Sequence, residues 1–150
     1  MASDFYDRHA ETLETALETI RNRSYWSPYP ESPRAYGEEA PAAGEAAFQA
    51  RLCQPFPIDQ AADGFVEVAE RSPYGIDLGV TYPGSTVADV LDAAEAAMAG
   101  WAAASPQERA GVCLEILDRL SKNSFEMAHA VMHTTGQAFL MAFQAGGPHA

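Results

Sequence analysis

The sequence predicts a mainly α-helical chain with one short β-hairpin, and three observations carry that prediction. Apolar residues recur three and four apart in a series of separate segments, which places them on one side of a helix in each. Capping residues and proline or glycine stops bracket most of those segments. Only around "GFVEVAERSPYGIDLGVTYPGS" does the apolar period fall to two.

"SDFYDRHAETLETALETIRNR" reads as the first helix, with Phe5, His9, Leu13, Ala16, Leu17 and Ile20 on one side. Ser3 or Asp4 suits its start, and Arg21 and Arg23 suit the dipole at its C-terminal end. Asp4, Asp7, Glu11, Glu14 and Glu18 recur along another face, where carboxylates read as solvated surface in preference to a cation or basic-partner site. In "SYWSPYPESPRAYGEEAP", Pro28, Pro30, Pro33 and Pro41 forbid regular helix and disfavour a central strand. Tyr25, Trp26, Tyr29 and Tyr36 make this arm too aromatic for a plain linker. An extended connection pinned to its own protein by those rings is favoured over a polyproline ligand for a partner.

"PAAGEAAFQARLC" gives a second helix, with Pro41 in its first turn and Pro55 and Pro57 beyond its end. In the hairpin, Phe65, Val66 and Val68 precede the turn "SPYG", and Ile76, Leu78, Val80 and Tyr82 alternate with Asp77, Gly79 and Thr81. The second half is helical. Val87, Val90, Leu91, Ala94, Met98 and Trp101 make an apolar stripe on a helix capped by Ser85 or Thr86. Ser105 at N-cap, Pro106 at N1 and Glu108 at N3 start the next, whose expected buried face is Val112, Cys113, Ile116, Leu117 and Leu120. Phe125, Ala128, Val131 and Met132 face inward on the helix after that, and Gly136 suits its C′ position. In "AFLMAFQA", Phe139, Leu140, Met141 and Phe143 point to several sides, as in a helix enclosed by a larger body. No repeat of constant period appears.

At 150 residues and 47% hydrophobic, the chain has material for one domain with a substantial core. A formal charge of −12, with scattered basic residues and Lys122 as the single lysine, argues against nucleic-acid binding. No apolar run approaches the ~20 residues that span a bilayer, and "MASDFYDRHA" has no signal-peptide character. The expectation is a soluble, cytoplasmic protein without nucleic-acid or membrane partners. Cys53 and Cys113 show neither CxxC nor Cys/His spacing, so a disulfide framework and a structural zinc site are disfavoured. Cys113, on an apolar stripe, reads as a small core residue and not as a nucleophile.

His129 and His133 lie four apart on one helix, a metal-ligand spacing, but "AVM" between them lacks the Glu of a HExxH site. His9 and His149 are the remaining histidines, so no third ligand is evident and no metal is expected. "TTGQ" is no phosphate loop and "GVTYPGS" lacks a dinucleotide fingerprint. There is no GxSxG and no close carboxylate pair in an apolar setting. The residues supply no catalytic, cofactor-binding or metal-binding set.

The order "LDAAEAAMAGW", "AAASPQERA", "CLEILDRLSKN", "FEMAHAVMHTTGQ" and an Ala-rich apolar helix resembles the N-terminal portion of the aldehyde dehydrogenase superfamily, an α/β fold. There a Trp-ended helix, a Pro-x-Glu-Arg start and a Thr-Gly-Lys/Gln turn recur in that order. "RNRSYWSPYPESP" and "MHTTGQAFLMAFQAGGPHA" are similar to the phenylacetic acid degradation PaaN group. The resemblance implies NAD- or NADP-dependent oxidation of a ring-opened, CoA-linked semialdehyde to its acid by a homo-oligomeric enzyme. In that family a cysteine thiolate attacks the aldehyde, hydride passes to the nicotinamide, and a glutamate activates water. Those groups lie downstream of the matched portion, so neither Cys53 nor Cys113 inherits a role and no cofactor residue is carried over.

The expected organisation is residues 1–57 for the first helix, arm and second helix, 58–84 for the hairpin region, and 85–150 for the helical start of the enzyme domain. "GGPHA" reads as a helix stop at Gly146, an N-cap at Gly147 and N1 at Pro148, making Ala150 the third residue of an interrupted helix. The chain is therefore expected to be an inactive fragment, whose partner is the rest of the enzyme or another copy meeting it through the apolar last helix. The alternative is a free-standing helical interaction protein descended from such an enzyme, binding a partner through the arm or that helix.

Overall fold

A computed structural model describes residues 2–60 and 62–149, leaving aside the side chains of Ala2 and Ser3. It is mainly helical with one two-stranded antiparallel sheet, as expected. The elements are α1 (Ala2–Arg8), α2 (Ala10–Asn22), a 3₁₀ turn (Pro33–Tyr36), α3 (Ala40–Gln49), β1 (Phe65–Glu67), β2 (Thr81–Pro83), α4 (Val87–Ala103), α5 (Pro106–Lys122), α6 (Ser124–Thr135) and α7 (Phe139–Gly146). Two packing units result: α1 lies on α5, and α6 lies between α3 and α7.

The expected first helix is broken in two at His9, whose φ of −107° and ψ of 10° leave the helical region. The hydrogen-bond ladder largely survives the break, since His9 N–H donates to Phe5 O (3.1 Å) and Leu13 N–H donates to His9 O (3.0 Å). Asp4 falls inside the first turn of α1 and does not precede it, while the Ser3 side chain lies outside the described residues. Arg23 takes a left-handed conformation (φ 50°) and its N–H closes the end of α2 on Ile20 O. The arm after it is pinned in part. Tyr36 packs edge-on against Phe125 and Phe143, and Tyr29 is half-buried, whereas Tyr25 stands 83% exposed.

The caps read from sequence for α4, α5 and α6 are formed. Thr86 and Asp89 make a reciprocal capping box at α4, and Ser105 and Glu108 make one at α5. Gly136 ends α6 at φ 79°, a conformation that side chains with a Cβ adopt at a cost. β1 and β2 pair as Phe65–Pro83, Val66–Tyr82 and Glu67–Thr81. The bridge Arg71–Asp77 keeps the same register around the SPYG turn. Leu78 is buried and Ile76, Val80 and Tyr82 are half-buried, but Gly79 and Thr81 are half-buried as well, so the expected alternation shows only at Asp77, and the first strand is exposed throughout.

The buried face of α5 differs from expectation. Gly111 and Glu115 are its buried residues, while Cys113 and Ile116 are exposed. Two residues turn a helix by about 200°, so a helix that presents Gly111 and Glu115 to α1 must turn Cys113 outward. Gly111 is what lets α1 approach: a Cβ there would collide with the backbone of Tyr6 and lie 3.0 Å from Phe5 C. Replacing Gly111 by alanine is expected to lower stability by about 1–3 kcal/mol through overpacking, less a helix-propensity gain of up to ~1 kcal/mol. Chemical denaturation reads the sum, and faster amide exchange confined to α1 identifies the cause.

The core is an aromatic cluster in the second packing unit. Phe125, Ala128, Ala142 and Phe143 are buried, with Tyr36, Val131 and Phe139 packed around them. The last helix is thus one-sided, burying Ala142 and Phe143 and leaving Leu140 and Met141 50% and 62% exposed. Gly147–His149 form a turn in which His149 N–H donates to Gln144 O (2.9 Å), instead of the expected helix start. Ala150, to which that expectation extended, lies outside the described residues.

Candidate functional site

Among the described residues, three arrangements bring chemically capable side chains together: an apolar cleft, a histidine–phenylalanine stack behind it, and a carboxylate held between cations at the α1–α5 contact.

The cleft opens between the end of α3, the loop that follows it, the hairpin and α6. Its volume is about 360 Å³, and Leu52, Phe56, Leu78, Val80, Tyr82 and Met127 give it an apolar lining. The loop is stitched to the hairpin: Cys53 N–H donates to Leu78 O (2.9 Å), Phe56 N–H to Thr81 O (2.8 Å), and Thr81 N–H to Gln54 O (3.3 Å). Arg51 Nε donates to Glu126 Oε1 (2.8 Å) and ties the loop to α6. The Tyr82 hydroxyl donates to Glu70 Oε2 (2.7 Å), and that bond, aided by burial, pushes the phenol up to about 12. Tyr82 is therefore a neutral hydrogen-bond donor at physiological pH and no acid–base group.

Phe48 forms one wall of the cleft and carries both α6 histidines on its ring. His133 stacks at 4.8 Å and 8°, and His129 at 6.0 Å and 20°. The His133 Nδ1 faces Ser72 Oγ at 2.8 Å, and that oxygen also accepts the Tyr74 N–H (3.1 Å). This is a serine–histidine contact, but Ser72 is only 3% exposed, so no substrate carbonyl reaches its hydroxyl. The contact anchors the SPYG turn to α6. Burial lowers the pKa of His129, which keeps its imidazole neutral at physiological pH. The two histidines singled out for their spacing thus act here as packing and hydrogen-bonding groups.

The third arrangement was invisible in the sequence except for the Glu115/Arg119 spacing of four. Glu115 is buried, and its Oε2 accepts from Arg8 Nη1 (2.8 Å) and faces His9 Nε2 (2.9 Å), while Oε1 accepts from Arg119 Nε (2.8 Å). These contacts hold the Glu115 carboxyl down at about 2, the His9 bond contributing most and the Arg119 bond next. Asp118 stands close enough to join His9 and Glu115 as a three-ligand cluster. Yet Asp118 already holds Lys122 Nζ at 2.6 Å and Glu115 holds two arginines. Cationic side chains therefore occupy the carboxylates, and the cluster fits a clamp better than a metal centre.

That clamp predicts an acid response. A carboxyl whose folded pKa is depressed stabilises the fold fully above its unfolded value near 4.5, and the contribution disappears as pH falls toward about 2. Amide protection in α1 should hold at pH 5 and above and decline below about pH 4.5. In Glu115→Gln this component of the acid response should be absent. An identical decline in the variant would assign it to other carboxylates.

No protein-family model and no curated protein matches the chain. Among solved structures, it is similar to the crystal structure of an NAD-dependent aldehyde dehydrogenase from Burkholderia multivorans, at 52% sequence identity and a TM-score of 0.85. The match covers 97% of this chain and 26% of that one, so the chain spans about a quarter of the length of the enzyme it matches. Among the described residues, no helix is long and apolar enough to cross a membrane.

Proposed function

We propose that the chain is a segment of an NAD-linked aldehyde dehydrogenase of the PaaN type, whose whole protein oxidises a ring-opened, CoA-linked semialdehyde to the acid in the cytoplasm. The observation that carries the aldehyde dehydrogenase part of this reading is identity at 52% of aligned positions over 97% of the chain. A shared helical architecture alone imposes no such identity, because one fold hosts many unrelated sequences and activities. The Pro-aromatic arm from Arg21 to Pro33 and the stretch from Met132 to Ala150 support the PaaN assignment.

In this reading residues 1–57, 58–84 and 85–150 are structural parts of a larger fold, and the 150-residue chain is inactive alone. Cys53 sits at φ 58° with its sulfur against Gly79, and Cys113 lies on the outward side of α5. Both thiols are free and exposed, and no catalytic role is assigned to either. NAD bound by the whole protein would accept the hydride, and this segment's residues would supply scaffold around that chemistry.

The test is to express the chain alone and extended through its downstream reading frame. Each is then assayed for aldehyde-dependent NADH formation with simple aldehydes and with a CoA-linked semialdehyde. The expected result is activity in the extended protein alone, with preference for the CoA-linked substrate. NADH formation that tracks the purified 150-residue chain would overturn the assignment of inactivity. An extended protein that ignores every aldehyde would overturn the function.

A further inference from the structure

Helix α4 is well formed and buries none of its residues. Every residue from Val87 to Ala103 is exposed, and α4 belongs to neither packing unit. Its capping box explains how the helix begins, but its apolar stripe has no complement. Val87 is 77% exposed, Leu91 57%, Met98 66% and Trp101 48%. These positions, with Ala94, follow one another at helical spacing and make a single continuous face. At its end Gly100, Trp101 and Ala104 line a hollow of about 410 Å³ against Glu108 and Val112 of α5. An aligned row of large apolar side chains of this kind marks a contact surface, whereas isolated exposed apolar residues need no explanation.

We propose that this face of α4 is a docking surface for the part of the longer polypeptide that lies beyond these 150 residues. The inference rests on the reading of the chain as a segment of an aldehyde dehydrogenase. The match leaves nearly three quarters of the similar enzyme without a counterpart here, which is ample material to cover one helix. The charge on α4 disfavours a second copy as the occupant. Asp89, Asp92 and Glu95 are its charged residues and no Lys or Arg offsets them, within a chain of net charge −12. Glu95 flanks the apolar face while Asp89 and Asp92 lie toward the far side, so the repulsion between two copies comes from Glu95 at the rim and from the net charge of each whole chain. The complementary surface is apolar at its centre and neutral or basic at its rim.

The experiment compares the 150-residue chain with the chain extended through its downstream frame by hydroxyl-radical footprinting read by mass spectrometry, which reports Trp101 separately from every other tryptophan. Oxidation of Trp101 should fall several-fold in the extended protein. Leu91→Glu should leave the melting temperature of the short chain unchanged and lower that of the extended protein. Amide exchange across Val87–Ala103 gives the same comparison on the backbone. Equal oxidation and equal exchange in both proteins would overturn the proposal. Concentration-dependent protection of Trp101 in the short chain, with dimers on sedimentation, would overturn it in favour of a second copy. An extended protein that oxidises aldehydes with Trp101 still open defeats this inference alone. One that covers Trp101 yet oxidises none defeats the functional reading alone.

Discussion

Replacing Phe143 by alanine is expected to remove about 3–5 kcal/mol of stability, the range for truncating a fully buried phenylalanine. The ring is wholly buried and meets Tyr36 edge-on at 5.5 Å, Phe125 at 4.8 Å and Phe139 at 6.4 Å. Deleting it opens a cavity where three elements converge: the 3₁₀ turn of the arm, α6 and α7. Against a typical domain stability of ~5–15 kcal/mol, the loss should leave the fold marginal. Urea denaturation followed by circular dichroism measures it. Leu140→Ala and Met141→Ala, on the open side of the same helix, should shift stability by no more than about 0.5 kcal/mol. A loss at Phe143 as small as theirs would mean that α7 is not seated as described.

Local chemistry was legible in the sequence because it is decided within a few residues. Thr86 with Asp89, Ser105 with Glu108, and Gly136 each fix a helix end by contacts reaching no more than one turn. Ser105, Glu108 and Gly136 are found where the sequence placed them, and Thr86 is the one of two candidates, Ser85 and Thr86, that caps α4. Rotation about the helix axis was legible only where one apolar stripe had one complement. On α6 Phe125, Ala128 and Val131 of the expected stripe face the core, and Met132 is half-buried. On α5 the apolar positions lost to Gly111 and Glu115, because the close approach of α1 needs a residue without a side chain and the ion cluster needs its carboxylate. Periodicity reports which side of a helix is apolar, and packing depends on what another element brings to it. Helix α4 shows the limit: its stripe is as regular as any, and none of its residues is buried.

The candidate site divides in the same way. The spacing of His129 and His133 was plain, but their surroundings come from Phe48 and Ser72, far away in sequence. The clamp on Glu115 joins residues more than a hundred positions apart through Arg8 and His9. The break in the first helix falls at the same His9, whose imidazole meets Glu115. A long-range side-chain hydrogen bond therefore coincides with the break in that helix.

Phe48→Ala is the companion test, and it should register twice. Phe48 is 5% exposed, and its loss is expected to lower stability by about 3–5 kcal/mol, again measured by denaturation. The second readout is the titration of His129. Burial is the main cause of that residue's lowered pKa, with His133 adding to it and Glu45 opposing it. Removing the ring stacked 6.0 Å away widens the 360 Å³ cleft and admits water to the imidazole. The pKa should therefore rise toward the ordinary 6.5, as proton NMR of the ring hydrogens would follow. The sign of the linked stability follows: a histidine depressed in the fold opposes folding as pH drops below its unfolded value. The variant should accordingly lose less additional stability than the parent between pH 7 and about pH 5. Phe48→Leu keeps much of the bulk and should fall between the two in both measurements. A large loss of stability with His129 titrating as before would show that Phe48 supports the α3–α6 contact without shielding the histidine. The cleft and the stack would then be separate features of the fold.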